Sequence, residues 1–148
     1  MHPPRPSLPQ LLLDARRWFE EGLLASLEAA GAAPVSPAQL ELFAVLDEEG
    51  TTVAELARRT GVARQSAHQA VHGLIASGHL EQVEDPAHGR QRLIRRTRQG
   101  ALTHRKAVGI LERLEEELAA RIGTAAVTAL RTALETPCRV RRIRRCRP

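Results

Sequence analysis

Between Thr52 and Gly78 the chain spells out two short helices and a tight turn, and no other segment restricts its possible folds so closely. Thr52-Val-Ala-Glu55 has the spacing of a capping box, in which a threonine hydroxyl and a glutamate carboxylate each satisfy a free amide at a helix start. A short helix is therefore predicted to about Arg59, and Thr60-Gly61-Val62 then turns the chain. A second helix, over about residues 64–77, buries Ala67, Ala70, Val71, Leu74 and Ile75 and ends at Gly78. The same periodicity presents Arg64, Gln65, His68, Gln69 and His72 outward. Two short helices joined by a glycine-containing turn form a helix-turn-helix.

After Gly78 come HLEQVE, the turn formers Asp85-Pro86 and His88-Gly89, and QRLIRRT, which together predict a hairpin of two short strands. Thr97 can cap a long helix, about residues 98–121, that carries Leu102, Val108, Leu111, Leu114 and Leu118. Gly123-Thr124 breaks it and starts a last helix to about Glu135. Upstream, residues 1–9 hold four prolines and read as an extended, disordered arm. The next segment repeats Leu12, Leu13, Phe19, Leu23, Leu24 and Leu27 at helical spacing until Gly31. Ser36-Pro37 then opens another helix, through Leu40, Phe43, Ala44 and Leu46, that stops at Gly50. The predicted fold is mainly α: a winged helix-turn-helix with a two-stranded wing, flanked by leucine-rich N- and C-terminal helices whose apolar stripes need a partner copy. The expected boundaries are the arm 1–9, a dimerisation helix in 10–35, the winged unit 36–98, further dimerisation helices 99–136, and a basic tail 137–148.

Charge tracks this organisation. The formal net charge is +5, yet residues 58–98 alone hold eight arginines against Glu81, Glu84 and Asp85, and residues 138–148 hold six arginines and no acid. The remainder of the chain is net acidic, so the positive charge is concentrated rather than spread, as expected where the partner is a phosphate. The major groove of double-stranded DNA accepts a helix and displays a donor and acceptor pattern that polar side chains can read. Gln65, Ser66, His68 and Gln69 are the candidate readers, and Arg64 can reach guanine or phosphate. Arg90 and Arg92 at the wing turn are candidates for phosphate or minor-groove contact, with Arg95 beside them. Arg96 and Arg98 complete five arginines in nine residues, more than a soluble hairpin tip requires.

Other chemistries find little support. His68 and His72 are one helical turn apart, a spacing that can grip a metal, but no third ligand accompanies them, and neither a metal nor another cofactor is expected. No phosphate-binding glycine loop, Ser-His-Asp set or paired carboxylates appear at workable spacing, so no catalytic residues are assigned. Cys138 and Cys146 lie in the arginine-rich tail, where a redox switch competes with simple disorder. No run of about 18 apolar residues and no apolar signal core occur, so no membrane partner is expected and the cytoplasm is the expected location.

The segment TVAELARRTGVARQSAHQAVHGLIASGHLEQVEDPAHGRQRLIRRTRQG carries L-A-R-R-T-G-V before the second helix, D-P-x-x-G-R in the hairpin and then T-x-x-G. With the order of helices around it, it resembles the MarR family of bacterial transcriptional regulators over about residues 10–135. The resemblance implies a homodimeric regulator, usually a repressor, in which the N-terminal helix and the two C-terminal helices interlock as the dimerisation region, and which binds a pseudo-palindromic operator and responds to a small-molecule effector. It also implies an effector pocket near the first helix, where Trp18, the only tryptophan, is a candidate to meet a small aromatic ligand; ordinary core packing is the alternative. Three positions depart from the family pattern: His88 replaces the second wing acid, Arg96 replaces the apolar residue before Thr97, and Ala63 occupies the cap of the second helix. The rival readings are a winged-helix module for an acidic protein partner and an architectural DNA binder with no specific site.

Overall fold

Helix caps and glycines divide the chain almost where the sequence says they should. The computed structural model describes residues 5–135, in the order α1 (Leu8–Ala29), α2 (Pro37–Ala44), α3 (Val53–Thr60), α4 (Arg64–Ala76), β1 (Leu80–Glu84), β2 (Arg92–Arg96), α5 (Arg98–Ile122) and α6 (Thr124–Glu135). Two compact units divide between Leu111 and Glu112.

Helix α1 begins at Leu8, inside the segment read as an arm. The Ser7 hydroxyl accepts from the Gln10 amide at 3.4 Å, and a proline stands in the first turn, where a missing N–H does no harm. Ser36 caps α2 and forms a complete capping box with Gln39. That helix stops at Ala44 rather than running on to Gly50. Leu46 still reaches the core, from the turn after the helix. At α3 the Thr52 hydroxyl accepts the Glu55 amide at 3.3 Å, but the reciprocal half of the expected box is missing because the Glu55 carboxylate takes Arg58 and Arg59 instead. Gly61 closes α3 at φ +72°, a left-handed conformation that side chains disfavour.

The core of the first unit gathers Leu42 and Phe43 of α2, Leu56 and Ala57 of α3, Ala67, Val71 and Leu74 of α4, Leu80 of β1 and Ile94 of β2. Leu56 and Ala67 have no exposed surface at all. Burying each large aliphatic side chain of this kind contributes about 1.5–3 kcal/mol, which makes the three-helix contact the main source of order here. Strands β1 and β2 pair antiparallel with Leu80 opposite Arg96 and Glu84 opposite Arg92. Thr51 adds a single bridge to the outer side of Ile94, exchanging both backbone hydrogen bonds at 2.9 Å. The fold is thus mainly helical with a two-stranded antiparallel sheet.

The wing is joined to α5 through Thr97. Its hydroxyl accepts the Gly100 amide at 3.0 Å, capping the helix, and donates to the Gly78 carbonyl at 2.6 Å. Gly100 packs so tightly that a Cβ there would lie 1.9 Å from the His79 carbonyl oxygen. That contact gives the T-x-x-G spacing its physical reason. In the second unit, Arg131 on α6 pairs with Glu115 on α5, and Ile122, Leu130 and Leu134 are exposed. Among the described residues no helix is long and apolar enough to cross a membrane.

Alanine is intrinsically the better helix former than glycine by about 0.8–1.0 kcal/mol. Gly100→Ala is nevertheless expected to destabilise the chain by about 1–3 kcal/mol, because the His79 backbone must move. A urea unfolding midpoint at or above that of the unsubstituted chain would show that the junction is looser than described.

Candidate nucleic-acid interface

Helix α4 places its side chains by period alone. Ala67, Val71 and Leu74 are buried, and Arg64, Gln65, Ser66, His68, Gln69 and His72 are all exposed. No acidic residue stands in the first turn of α4, and Ala63 supplies no side-chain cap, although its backbone has the extended conformation of a cap residue. The free amides there, the positive end of the helix dipole and Arg64 thus add without any compensating group on the helix itself.

The charge count of the sequence does not survive intact in the structure. Arg58 and Arg59 both bind Glu55, and Arg59 also donates to Asp47 at 2.8 Å and to the Val45 carbonyl at 2.9 Å. The Arg58 and Arg59 hydrogen bonds hold the Glu55 carboxyl at a pKa of about 2. Arg95 pairs with Glu81 at 2.7 Å and Arg92 with Glu84 at 3.6 Å, across the hairpin. These wing pairs are exposed and weak enough for a phosphate to displace. Arg64, Arg90 and Arg98 have no ion-pair partner among the described residues.

Arg96 departs furthest from expectation. It shares the core face of β2 with Ile94 and stands opposite Leu80, both of them buried. Its Nη2 donates to the Phe43 carbonyl at 2.8 Å, and the guanidinium carbon lies 5.1 Å from the centre of the Phe43 ring. It therefore leaves the row of solvent-facing wing arginines.

The wing turn is held by Asp85. One carboxylate oxygen accepts the Ala87 amide at 2.8 Å and the other lies 3.3 Å from His88 Nδ1. The Ala87 amide is the main reason the Asp85 carboxyl titrates below its ordinary range, with His88 assisting. Arg90, which the aspartate does not hold, is exposed at the turn.

Between these elements lies an open cleft of about 340 Å³. Thr52, Val53 and Ala54 line it from the start of α3, Arg64 and His68 from α4, and Gln82, Gln91 and Arg92 from the wing. The structure thus brings Arg64, His68 and Arg92 to one place, while Gln65, Ser66 and Gln69 remain on the exposed face of α4 and Arg95 lies along the hairpin. Gln82, Gln91 and the amides at the start of α3 were missed as candidates from sequence. The capping motif that located Thr52 also located those amides.

Trp18 is half-buried on α1 and meets Phe19 edge-on, with ring centres 4.9 Å apart. Close to the same helix, an apolar cavity touches Leu27, Leu40, Phe43, Leu74, His79 and Ala107 but holds only about 20 Å³, room for a single water. No group of three or more metal-ligating residues occurs among the described residues. Cys138, Cys146 and the basic tail lie outside them.

The model of the MarR family matches residues 33–91, from the loop before α2 through the wing turn. Over that segment the chain is similar to the MarR family. The transcriptional regulator PA4135 aligns with a TM-score of 0.71 at 22% identity, over 88% of this chain and 95% of its own. The transcriptional repressor CouR, bound to a 23-mer DNA duplex, gives 0.71 at 22% identity over 88% and 91%. CouR from Rhodococcus jostii RHA1 bound to p-coumaroyl-CoA gives 0.70 at 18% identity over 87% and 90%. At these identities the likeness is one of fold. None of the curated proteins compared by sequence matches the chain.

Supplying the missing side-chain cap tests the electrostatics of α4. Ala63→Ser is expected to raise stability by about 0.5–2 kcal/mol, since a serine hydroxyl can accept a free first-turn amide. Equal urea midpoints for the two chains would mean that those amides are already satisfied.

Proposed function

We propose that the chain is a sequence-specific DNA-binding transcriptional regulator, a repressor that acts as a homodimer on a pseudo-palindromic operator in the cytoplasm. The observation that carries this reading is the outward face of α4, where readers of base edges, an uncapped helix start and an unpaired Arg64 coincide. In the proposed complex α4 enters the major groove, with Gln65, Ser66, His68 and Gln69 against base edges. The cleft between α3, α4 and the wing receives a backbone phosphate, held by Arg64, Arg92 and the amides at the start of α3. Arg90 reaches the neighbouring minor groove, and Arg95 exchanges Glu81 for phosphate.

Exposed leucines support the dimer. Leu8, Leu11, Leu12 and Leu13 of α1 lie in solvent, Leu8 at 67% of its full accessibility, as do Leu102, Val108 and Leu111 of α5. Stripes of this kind are what a second copy covers. A small-molecule effector is part of the proposal by analogy with the ligand-bound CouR structure. The cavity beside Leu27 and Phe43 would have to widen to admit one, and an aromatic ligand there would be seen through the fluorescence of Trp18.

Selection of bound duplexes from random DNA is the direct test. A recovered palindrome with half-sites about one helical turn apart is expected. Gln65→Ala with Gln69→Ala should then change the base preference, whereas Arg64→Ala should weaken all sequences alike and flatten the salt dependence by about 0.9 in log–log slope per lost phosphate contact. Absence of any enriched sequence would favour architectural binding, and absence of DNA binding would favour an acidic protein partner for the same face.

A further inference from the structure

An arginine is a poor choice for the inner face of β2. The position lies opposite Leu80 and two residues beyond Ile94, where an apolar side chain would fit the core. The guanidinium is partly withdrawn from water, and its Nε is buried without a hydrogen-bond partner. Burial depresses the pKa of Arg96 despite the nearby charges of Glu48 and Asp47. A buried donor left unpaired and a desolvated cation both oppose folding. What the residue adds in return is a fixed tie. Nη2 reaches the Phe43 carbonyl at 2.8 Å, at the C-terminal end of α2 where helix carbonyls lack partners. The planar group lies over the Phe43 ring at 5.1 Å. Phe43 is itself wedged edge-on against His79, just before β1, and His104 of α5.

We propose that Arg96 is a positioning residue for the wing: its guanidinium ties β2 to the end of α2 and so fixes where Arg90 meets DNA. This rests on the DNA-binding reading of the wing. Arg96 lies at the root of the hairpin, and among the described wing arginines it alone is bonded to a helix carbonyl. Two ties hold that root, Arg96 to the Phe43 carbonyl and the Thr97 hydroxyl to the Gly78 carbonyl. Among the described residues the tip from Asp85 to Gln91 is closed by its own backbone and the Asp85 carboxylate, so its direction is inherited from the root.

The test uses the full chain, the duplex it selects from random DNA, and Arg96→Met, Arg96→Lys, Arg90→Ala and the Arg90→Ala, Arg96→Met pair. Arg96→Met is expected to unfold at the same or a higher temperature, because it removes a desolvated cation, yet to bind the duplex on the order of tenfold more weakly with an unchanged salt slope. In the Arg90→Ala background the same substitution should add little further loss, since the wing arginine it positions is gone. Arg96→Lys keeps the charge but not the planar stacking, so it should lose affinity like the methionine variant. Three results would overturn the proposal: a salt slope reduced by about 0.9 in Arg96→Met, which marks a direct phosphate contact; full affinity in Arg96→Lys; or additive losses in the double variant. If Arg90→Ala alone leaves affinity and salt slope untouched, the wing does not read DNA and the proposal falls with that reading.

Discussion

The burial of Ala67, Val71 and Leu74 is the constraint on which the rest depends. These side chains lock one stripe of α4 against Leu42 of α2, Leu56 of α3 and the inner residues of the sheet. A helix with 3.6 residues per turn then has no freedom left in choosing its outer face. Gln65, His68, Gln69 and His72 are exposed because their neighbours are not. The polar surface offered to a partner is in this sense a by-product of hydrophobic packing, which fixes the backbone from which these side chains project.

Electrostatics refines what packing provides. A count of charges suggests a uniformly basic wing, but the fold sorts its arginines by environment. Some neutralise acids on neighbouring turns, some lie loosely against acids across the hairpin, one is turned inward, and Arg64, Arg90 and Arg98 stand clear. The first kind contributes to local order, while only the last can answer an incoming anion without first giving something up. The difference is one of a few ångströms, which a net charge cannot express.

The elements with strong local signals were legible in the sequence. Thr52, Gly61 and Gly78 bracket the helix-turn-helix, Asp85-Pro86 marks the wing turn, and Thr97 starts α5, because caps and turns are decided by residues close together in the chain. The candidate readers on α4 came from period alone. Less legible were features decided at a distance. Leu46 prolonged the apparent periodicity of α2 although it enters the core from a turn, and the single bridge made by Thr51 has no repeating pattern to reveal it. Glu55 had two arginines at helical spacing as well as an amide to choose from, and the arginines won. Arg96 was counted with the wing because its chemistry was read before its parity. Two residues from Ile94, it had to share that residue's face, and the carbonyl that receives it lies 53 residues away in sequence.

The bare start of α4 has a wider meaning. Every other helix in the first half of the chain begins with a serine or threonine that completes its first turn, whereas at Ala63 the hydrogen-bonding capacity is left open. An anionic partner seated there would finish the helix as well as contact it. With such a partner bound, part of the cohesion of the fold would be held outside the chain, and thermal resistance and affinity at this surface would be two readings of one linked equilibrium.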